Sequence, residues 1–223
     1  QLKTWQSGLK NVGMAVVTDA ADSTDILYLS SKKIYFFFYL IKSFNSKFFI
    51  MQAVSSFRAV NLSISNYRTY LFAMLFIAGN VLLPQLCHSI PDGGKILLPI
   101  YFFTLIASYK FGIKVGLLTA LLSPLCNYFL FGMPSAGMLP VLLVKSSLLA
   151  VAASWIALKS QKLSVWHIVL VVLIYQIAGG IAEWVISGSL SAALQDFRLG
   201  VPGMLLQVAG GWLVLKLMAK YEI

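Results

Sequence analysis

The stretch "GMLPVLLVKSSLLAVAASWIAL", Gly137 to Leu158, is long and apolar, yet it contains one lysine. Lys145 has no acidic neighbour at helical spacing, so no local ion pair can neutralise it. Two interpretations are open. The stretch is either a soluble core helix that turns its lysine outward, or a membrane helix in which the lysine serves a purpose.

The composition of the chain favours a membrane protein. Of its 223 residues, 59% are hydrophobic and 11% are charged, whereas an ordinary soluble domain has about 25% charged residues. The net charge of +10 could indicate nucleic-acid binding, but the basic residues are scattered singly between apolar runs. We therefore expect a lipid bilayer, and no nucleic acid, as a partner of the chain.

The first fifty residues differ from the rest of the sequence. Within residues 31–50, sixteen of twenty residues are Phe, Ile, Lys, Asn or Tyr, the amino acids with AT-rich codons. Our hypothesis is that residues 1–50 are a non-native, upstream-translated segment without a fold and that the native start is Met51. The alternative is a signal peptide or an additional span, because Lys32 and Lys33 precede a short apolar run.

Apolar runs separated by short polar breaks predict six transmembrane helices in one domain, residues 69–220, after a cytoplasmic lead-in at residues 51–68. The runs are too long for strands and do not alternate with a period of two. The second run is short for about 30 Å of hydrocarbon, so we expect it to lie beside protein or to extend into its flanks. The predicted spans are residues 69–87, 96–109, 115–131, 138–158, 165–187 and 199–218.

The basic residues predict the orientation, because short cytoplasmic loops keep an excess of positive charge. With both termini in the cytoplasm, Lys95 and Arg198 are the only basic residues of the predicted loops and span ends that lie outside. The eight basic residues that then lie inside are Arg58, Arg68, Lys110, Lys114, Lys159, Lys162, Lys216 and Lys220.

Small residues recur at four-residue spacing, which allows helices to approach closely. Packing within this chain and docking against another membrane subunit are both open explanations. The two series are Gly112, Gly116 and Ala120, and Ser146, Ala150 and Ser154.

Most polar residues of the predicted spans fall in the outer half of the bundle. Lys145 lies about 10 Å below the outer end of its span, and Gln176 and Gln207 are nearer the middle. The outer set is Asn80, Gln85, His88, Tyr101, Asn127, Glu183, Asp196 and Arg198.

Lys145 requires an explanation of its own. A lysine near the bilayer centre costs roughly 2.5–3.5 kcal/mol, and each Leu, Val or Ile of the span returns about 0.3–0.6 kcal/mol, so insertion is possible. Glu183, the only acid inside a predicted span, is the expected partner. A structural ion pair, snorkelling to the outer surface and contact with a ligand all stay open.

Several motifs are missing from the sequence. It has no G-x-x-x-x-G-K-[ST], so ATP-driven work would need partner subunits. It has neither G-x-S-x-G nor H-E-x-x-H, and His88 and His167 fall at opposite membrane faces. We expect no enzyme activity, no catalytic residues, no metal and no bound cofactor.

The segment "LPQLCHSIPDGGKILLPIYFFTLIASYKFGIKVGLLTALLSPLCNYFLFGMPSAGMLPVLLVK", Leu83 to Lys145, resembles the substrate-capture S component of energy-coupling factor (ECF) vitamin transporters. The resemblance extends with less specificity to about residue 218 and does not cover residues 1–50. The features that carry it are the His88 and Gly93-Gly94 loop, Leu98-Pro99, the Gly116 to Pro124 segment, and "FGMP" at Phe131 to Pro134 followed by Met138-Leu139-Pro140.

The resemblance implies a multi-pass protein of the prokaryotic cytoplasmic (inner) membrane that binds a vitamin or vitamin precursor near its outer face. Loops at residues 89–95 and 132–137 would close the pocket. A partner transmembrane T component and two ATPases, which use the ATP, would deliver the cargo inward. Two features depart from the family pattern: Ala73 of the docking A-x-x-x-A is followed by Ile77, and relatives often have an acid near Lys145 and a histidine near Tyr101.

The expected function is therefore vitamin uptake by an ECF-type ABC importer, with a ligand anchored by Lys145 and oriented by Asn127, Tyr101 and Asn80. Lys145 and Arg198 would suit a carboxylate or phosphate on that ligand. The alternative is a non-transporting six-helix membrane scaffold of the cell envelope, and a membrane enzyme ranks third. The other predicted substrate-binding residues are Glu183, Trp184, Gln176, His88 and Arg198, and the predicted subunit-docking residues are Gly112, Gly116, Ala120 and Ala73.

Overall fold

The computed structural model describes residues 57–87 and 93–221. The predictions on residues 1–50, on the start at Met51 and on His88 lie outside these residues. Every regular element of the described chain is a helix. The α-helices are α1 (Tyr67–Cys87), α2 (Gly93–Leu97), α3 (Phe102–Phe111), α4 (Ile113–Phe131), α5 (Leu139–Ser160), α6 (Val165–Ser187), α7 (Leu190–Ala193), α8 (Gln195–Leu199) and α9 (Val201–Lys220), and a short 3₁₀ helix spans Pro99–Tyr101.

Five of these helices, α1, α4, α5, α6 and α9, are long and apolar enough to cross a membrane. Large apolar side chains such as Met74, Phe129, Trp166 and Val185 are exposed on them. A soluble protein of this size rarely leaves so much apolar surface to water, whereas a bilayer solvates it. The prediction of an all-α, multi-pass membrane protein is confirmed by the helical structure and by the length and hydropathy of these five helices.

The second predicted span, residues 96–109, is not one helix, so that prediction is wrong. Leu98 has left-handed backbone angles, φ 47° and ψ 47°. The next residue, Pro99, has no N–H to continue a helical ladder. The chain therefore breaks between α2 and the 3₁₀ helix, and α3 that follows has ten residues, or about 15 Å of helix.

The short helix α3 lies in the centre of the bundle. It packs against α1, α4, α5 and α9, and every residue from Thr104 to Phe111 is buried. A helix that is surrounded by protein does not have to match the thickness of the hydrocarbon. The expectation that this run lies beside protein agrees with its position.

The small residues predicted for subunit docking are all inside the bundle. Gly112, Gly116, Ala120 and Ala73 are buried. A Cβ atom on Gly116 would overlap the side chain of Ser108, so this glycine allows α4 to approach α3. Packing within the chain accounts for these residues without a second subunit.

Candidate functional site

A cavity of about 530 Å³ lies at the end of the bundle where α1, α4 and α6 terminate and α5 begins. Its volume falls in the usual range for small-molecule sites, about 300–1,000 Å³. Much of the wall is apolar and comes from the chain break at Leu98 and Pro99, from Met133 and Pro134, and from the first turns of α5. The polar and charged residues that line the cavity are Gln85, Lys95, Tyr101, Asn127, Ser135, Lys145, Glu183 and Asp196.

The charged residues at the inner side of the cavity form one connected cluster. The Nζ of Lys145, on α5, donates hydrogen bonds to Oε2 of Glu183 on α6 and, at 2.7 Å, to Oδ2 of Asp196 on α8. The side chains of Lys145 and Glu183 are buried, and that of Asp196 is 18% exposed. The predicted partner of Lys145 is therefore in contact with it, and a second carboxylate joins the pair.

Asp196 was placed in the outer polar set but was not among the predicted site residues. One signal in the sequence could have pointed to it. Between residues 93 and 221, Glu183 and Asp196 are the only two acidic residues. These are the two carboxylates that this part of the chain offers to a buried lysine.

Gly179 makes room for the lysine. A Cβ atom at this position would lie 2.7 Å from Cγ of Lys145, closer than carbon atoms approach in a packed protein. The apolar stem of Lys145 therefore crosses α6 at Gly179, one of the two adjacent glycines of that helix. The role of Gly179 depends on the pairing of α5 with α6, which no local pattern in the sequence indicates.

Asn80 holds the bundle together and does not line the cavity. Its Nδ2 donates to Oγ1 of Thr104 at 2.9 Å and to Oγ of Ser123 at 3.2 Å, and its Oδ1 accepts from the N–H of Phe103 at 3.1 Å. That N–H belongs to the first turn of α3, where no helical partner exists. Asn80 was predicted to orient a ligand, but it lies outside the cavity wall and fastens α1 to α3 and α4.

Asn127 lies beside Asn80 but faces the cavity. Its Nδ2 donates to the backbone oxygens of Asn80 and Ser123, each at 3.0 Å. These two bonds define which amide atom is nitrogen. The Oδ1 atom is buried and has no hydrogen-bond partner in the described structure. A buried acceptor without a donor is costly, so this oxygen is a candidate ligand contact.

Tyr101 also lines the cavity, as predicted, and its ring centroid is 5.4 Å from that of Tyr175. The hydroxyl of Tyr175 donates to Oε1 of Gln207 at 2.7 Å. Gln176 is buried with neither amide atom hydrogen-bonded to any described residue, and it does not line the cavity. The structure therefore places Tyr101, and not Gln176, at the site.

Two other predicted residues do not belong to this cavity. Trp184 is 50% exposed, and Arg198 is exposed, and neither contributes to the wall described above. Lys145 and Arg198 therefore do not form the expected anion-binding pair. Lys145 is bonded to two carboxylates, and Arg198 lies outside the cavity wall. No group of three His, Cys, Asp or Glu side chains in residues 57–87 and 93–221 is arranged to hold a metal ion.

The site thus consists of an apolar cavity with one acidic, hydrogen-bonding end. Comparisons of the chain with protein-family models, with curated proteins and with solved structures found no match.

Proposed function

We propose that this chain is the substrate-capture S component of an ECF-type importer. It binds a vitamin or a vitamin precursor in the cavity from outside the cell. A separate transmembrane T component and two ATPase subunits then drive delivery inward, and this chain itself binds no ATP and catalyses no reaction. The observation that carries the proposal is the cavity, which has ligand-sized volume, apolar walls and a buried polar end.

The position of the cavity supports an outward-facing site. Its wall includes Gly93, Gly94 and Lys95 on one side and Met133, Pro134 and Ser135 on the other. These belong to the two segments that the family resemblance assigns to the closing loops. The opposite end of the bundle carries eight basic residues and, by the positive-inside rule, faces the cytoplasm of a prokaryotic cell.

Six crossings are part of the same proposal. The five long helices α1, α4, α5, α6 and α9 cross the bilayer in full. The second crossing consists of α2, the 3₁₀ helix and α3 in succession, shielded from lipid by their neighbours. Broken helices are tolerated at membrane depth where they line a cavity, and the break at Leu98 and Pro99 lines this one.

Filling the cavity tests the proposal. Val141 lines the cavity and is 4% exposed, whereas Val151 lies on the same helix and is 50% exposed. We expect that the wild-type protein, purified in detergent from native membranes, releases a small molecule on denaturation that mass spectrometry detects. The Val141→Trp variant would lose this molecule, because an indole occupies the space, and Val151→Trp would keep it.

If folded wild-type protein, purified from native membranes, releases no small molecule on denaturation, the capture function is contradicted and the membrane scaffold is favoured. Loss of the molecule from Val151→Trp as well as Val141→Trp contradicts the cavity as its location.

A further inference from the structure

The buried cluster at the inner end of the cavity has more acid than base. Lys145 contributes one positive charge, and Glu183 and Asp196 contribute two negative charges, so the formal net charge of the three is −1. The lysine bonds to only one oxygen of each carboxylate. Within the described structure, Oε1 of Glu183 and Oδ1 of Asp196 accept no hydrogen bond, and both residues line the cavity.

A third acceptor is present at the same cavity and does not depend on these charges. Asn127 is 3% exposed, and its Oδ1 has no donor in the described structure. The amide cannot turn its nitrogen toward the cavity without losing two hydrogen bonds, to Asn80 and Ser123. Donors also line the cavity, namely the hydroxyls of Tyr101 and Ser135, the amide nitrogen of Gln85 and the N–H of Lys145 that its two bonds leave over. What distinguishes the buried cluster is therefore three acceptors without a donor in the described structure, Asn127 Oδ1 and one oxygen each of Glu183 and Asp196.

Two other cations lie on the elements around the cavity. Lys95 lines it but is exposed, so water and salt screen its charge. Arg198, on α8 with Asp196, is exposed and outside the wall. The excess negative charge of the buried cluster is therefore not offset at the same depth by another cation of the described chain.

We propose that the cavity selects an organic cation, such as a protonated amine or another positively charged nitrogen group with N–H donors, attached to an apolar body. This inference rests on the capture function proposed above. N–H donors on a cation would bond the free oxygens of Glu183 and Asp196 and supply the missing donor to Asn127. Hydrogen bonds between ionised partners are short and strong away from water. The apolar body would fill the space between α5 and the chain break.

A small metal ion fits this site less well. Calcium takes six to eight oxygen ligands and magnesium demands six in near-ideal geometry, whereas here the ammonium of Lys145 already occupies the space between the two carboxylates. An anion would meet a surplus of negative charge. The lysine acts as a positioning residue, because it holds both carboxylates with one oxygen of each facing the ligand.

Three probes of one size and different charge test the inference: benzylamine, benzyl alcohol and benzoate. Binding to the full chain in an uncharged maltoside detergent is measured by saturation-transfer NMR titration at pH 7. The Val141→Trp protein in the same micelles corrects for partition into detergent. We expect benzylamine to bind roughly tenfold more tightly than benzoate, with benzyl alcohol between them.

Two variants locate the preference. Asp196→Asn can still accept a hydrogen bond from Lys145 but removes one negative charge, and we expect it to reduce the preference for benzylamine several-fold. Arg198→Gln also changes one charge on α8, outside the cavity, and should leave the preference unchanged. Thermal unfolding of each variant shows whether it is folded, and if Asp196→Asn is not folded, the order of the three probes on the wild-type protein decides alone.

Equal or tighter binding of benzoate overturns the inference, and so does an absence of binding by all three probes. A cation preference that is undiminished in folded Asp196→Asn protein also overturns it. The capture function is tested separately, by the molecule that co-purifies from native membranes. An anionic molecule in that experiment would leave capture intact and refute the cation preference.

Discussion

Two lysines are buried at opposite ends of the bundle, and their surroundings differ. Lys110, near the end of α3, is 6% exposed, and its Nζ donates to the backbone oxygen of Arg58 at 3.3 Å and lies 5.3 Å from the centre of the Phe57 ring. Lys145 is 3% exposed and bonds two carboxylates. One lysine is therefore accommodated without any acid in the described chain, and the other has two.

The difference indicates that Lys145 has more acidic partners than its burial requires. One carboxylate would neutralise it, and a backbone carbonyl with an aromatic ring is sufficient for Lys110. Replacing a buried ion pair by apolar residues is often neutral or stabilising, so a surplus of buried charge is poorly explained by stability. The surplus acid is better explained by a ligand. Substitutions at the two ends test how far the surroundings of Lys145 and Lys110 differ in energy.

The largest effect is expected for Lys145→Met. This substitution leaves two carboxylates in a buried site without their cation, which costs about 3–5 kcal/mol in the free energy of unfolding. Lys110→Met is the matched control, because it removes one hydrogen bond to a backbone carbonyl and costs about 1 kcal/mol. Titration with SDS in mixed micelles measures both free energies.

The triple variant Lys145→Met, Glu183→Gln and Asp196→Asn sharpens this test. It removes the stranded charges together with the lysine, so we expect it to regain most of the stability lost in Lys145→Met. If Lys145→Met and Lys110→Met lower the free energy of unfolding by the same amount, the two buried lysines do not differ in the way described.

A smaller effect is expected for Gly179→Ala. The added methyl group would lie 2.7 Å from Cγ of Lys145, and the resulting shift costs about 1–3 kcal/mol, as overpacking does elsewhere. Gly180→Ala is the control on the adjacent residue, where the nearest atom, the backbone oxygen of Ala193, is 3.5 Å away. Thermal unfolding should separate the two variants, and identical curves would show that Lys145 does not lie against Gly179 as described.

Single cysteines at the two ends of the bundle are expected to change stability least. They are expected to differ clearly in their labelling by maleimide. In a background without Cys87 and Cys126, Ser135→Cys lies at the exposed rim of the cavity and Lys162→Cys lies beyond the other end of α5. A membrane-impermeant maleimide added to intact cells should label Ser135→Cys and not Lys162→Cys. The reverse pattern would place the cavity in the cytoplasm and contradict uptake from outside.

The membrane class and the long helices were predictable because hydropathy and length are properties of consecutive residues. The predicted spans at residues 69–87, 165–187 and 199–218 agree within two residues at each end with α1, α6 and α9. The second span was not predicted correctly. Its apolar run continues through Leu98 and Pro99, so hydropathy does not mark the left-handed turn at Leu98. The Leu98 side chain lies against Gly200 of a distant element, where a Cβ atom would be 2.8 Å from Leu98 Cδ1.

The candidate site was predictable in part. The depth of Lys145 and Glu183 followed from their positions along helices, and the two are paired. Trp184 follows Glu183 directly, yet it lies on the outside of the bundle, because successive residues of a helix point about 100° apart. Depth alone cannot state which of two neighbours faces inward. The overlooked signal is periodicity, because Gln176, Gly180 and Glu183 recur at helical spacing on one face of α6, and all three are buried.

The amino-acid sequence by itself determined that this is a helical membrane protein, that most basic residues after residue 51 fall at one end of it, and that one lysine lies inside an apolar helix with Glu183 as its candidate partner. Those properties depend on composition and on distance along one helix. Only the tertiary structure decided that the lysine has two acidic partners, that Gly179 makes room for it, and that Asn80 is structural while Asn127 faces a cavity. The physical reason is that each of these facts depends on how separate helices are turned and placed against each other, and apolar helices of similar hydropathy carry little information about that arrangement.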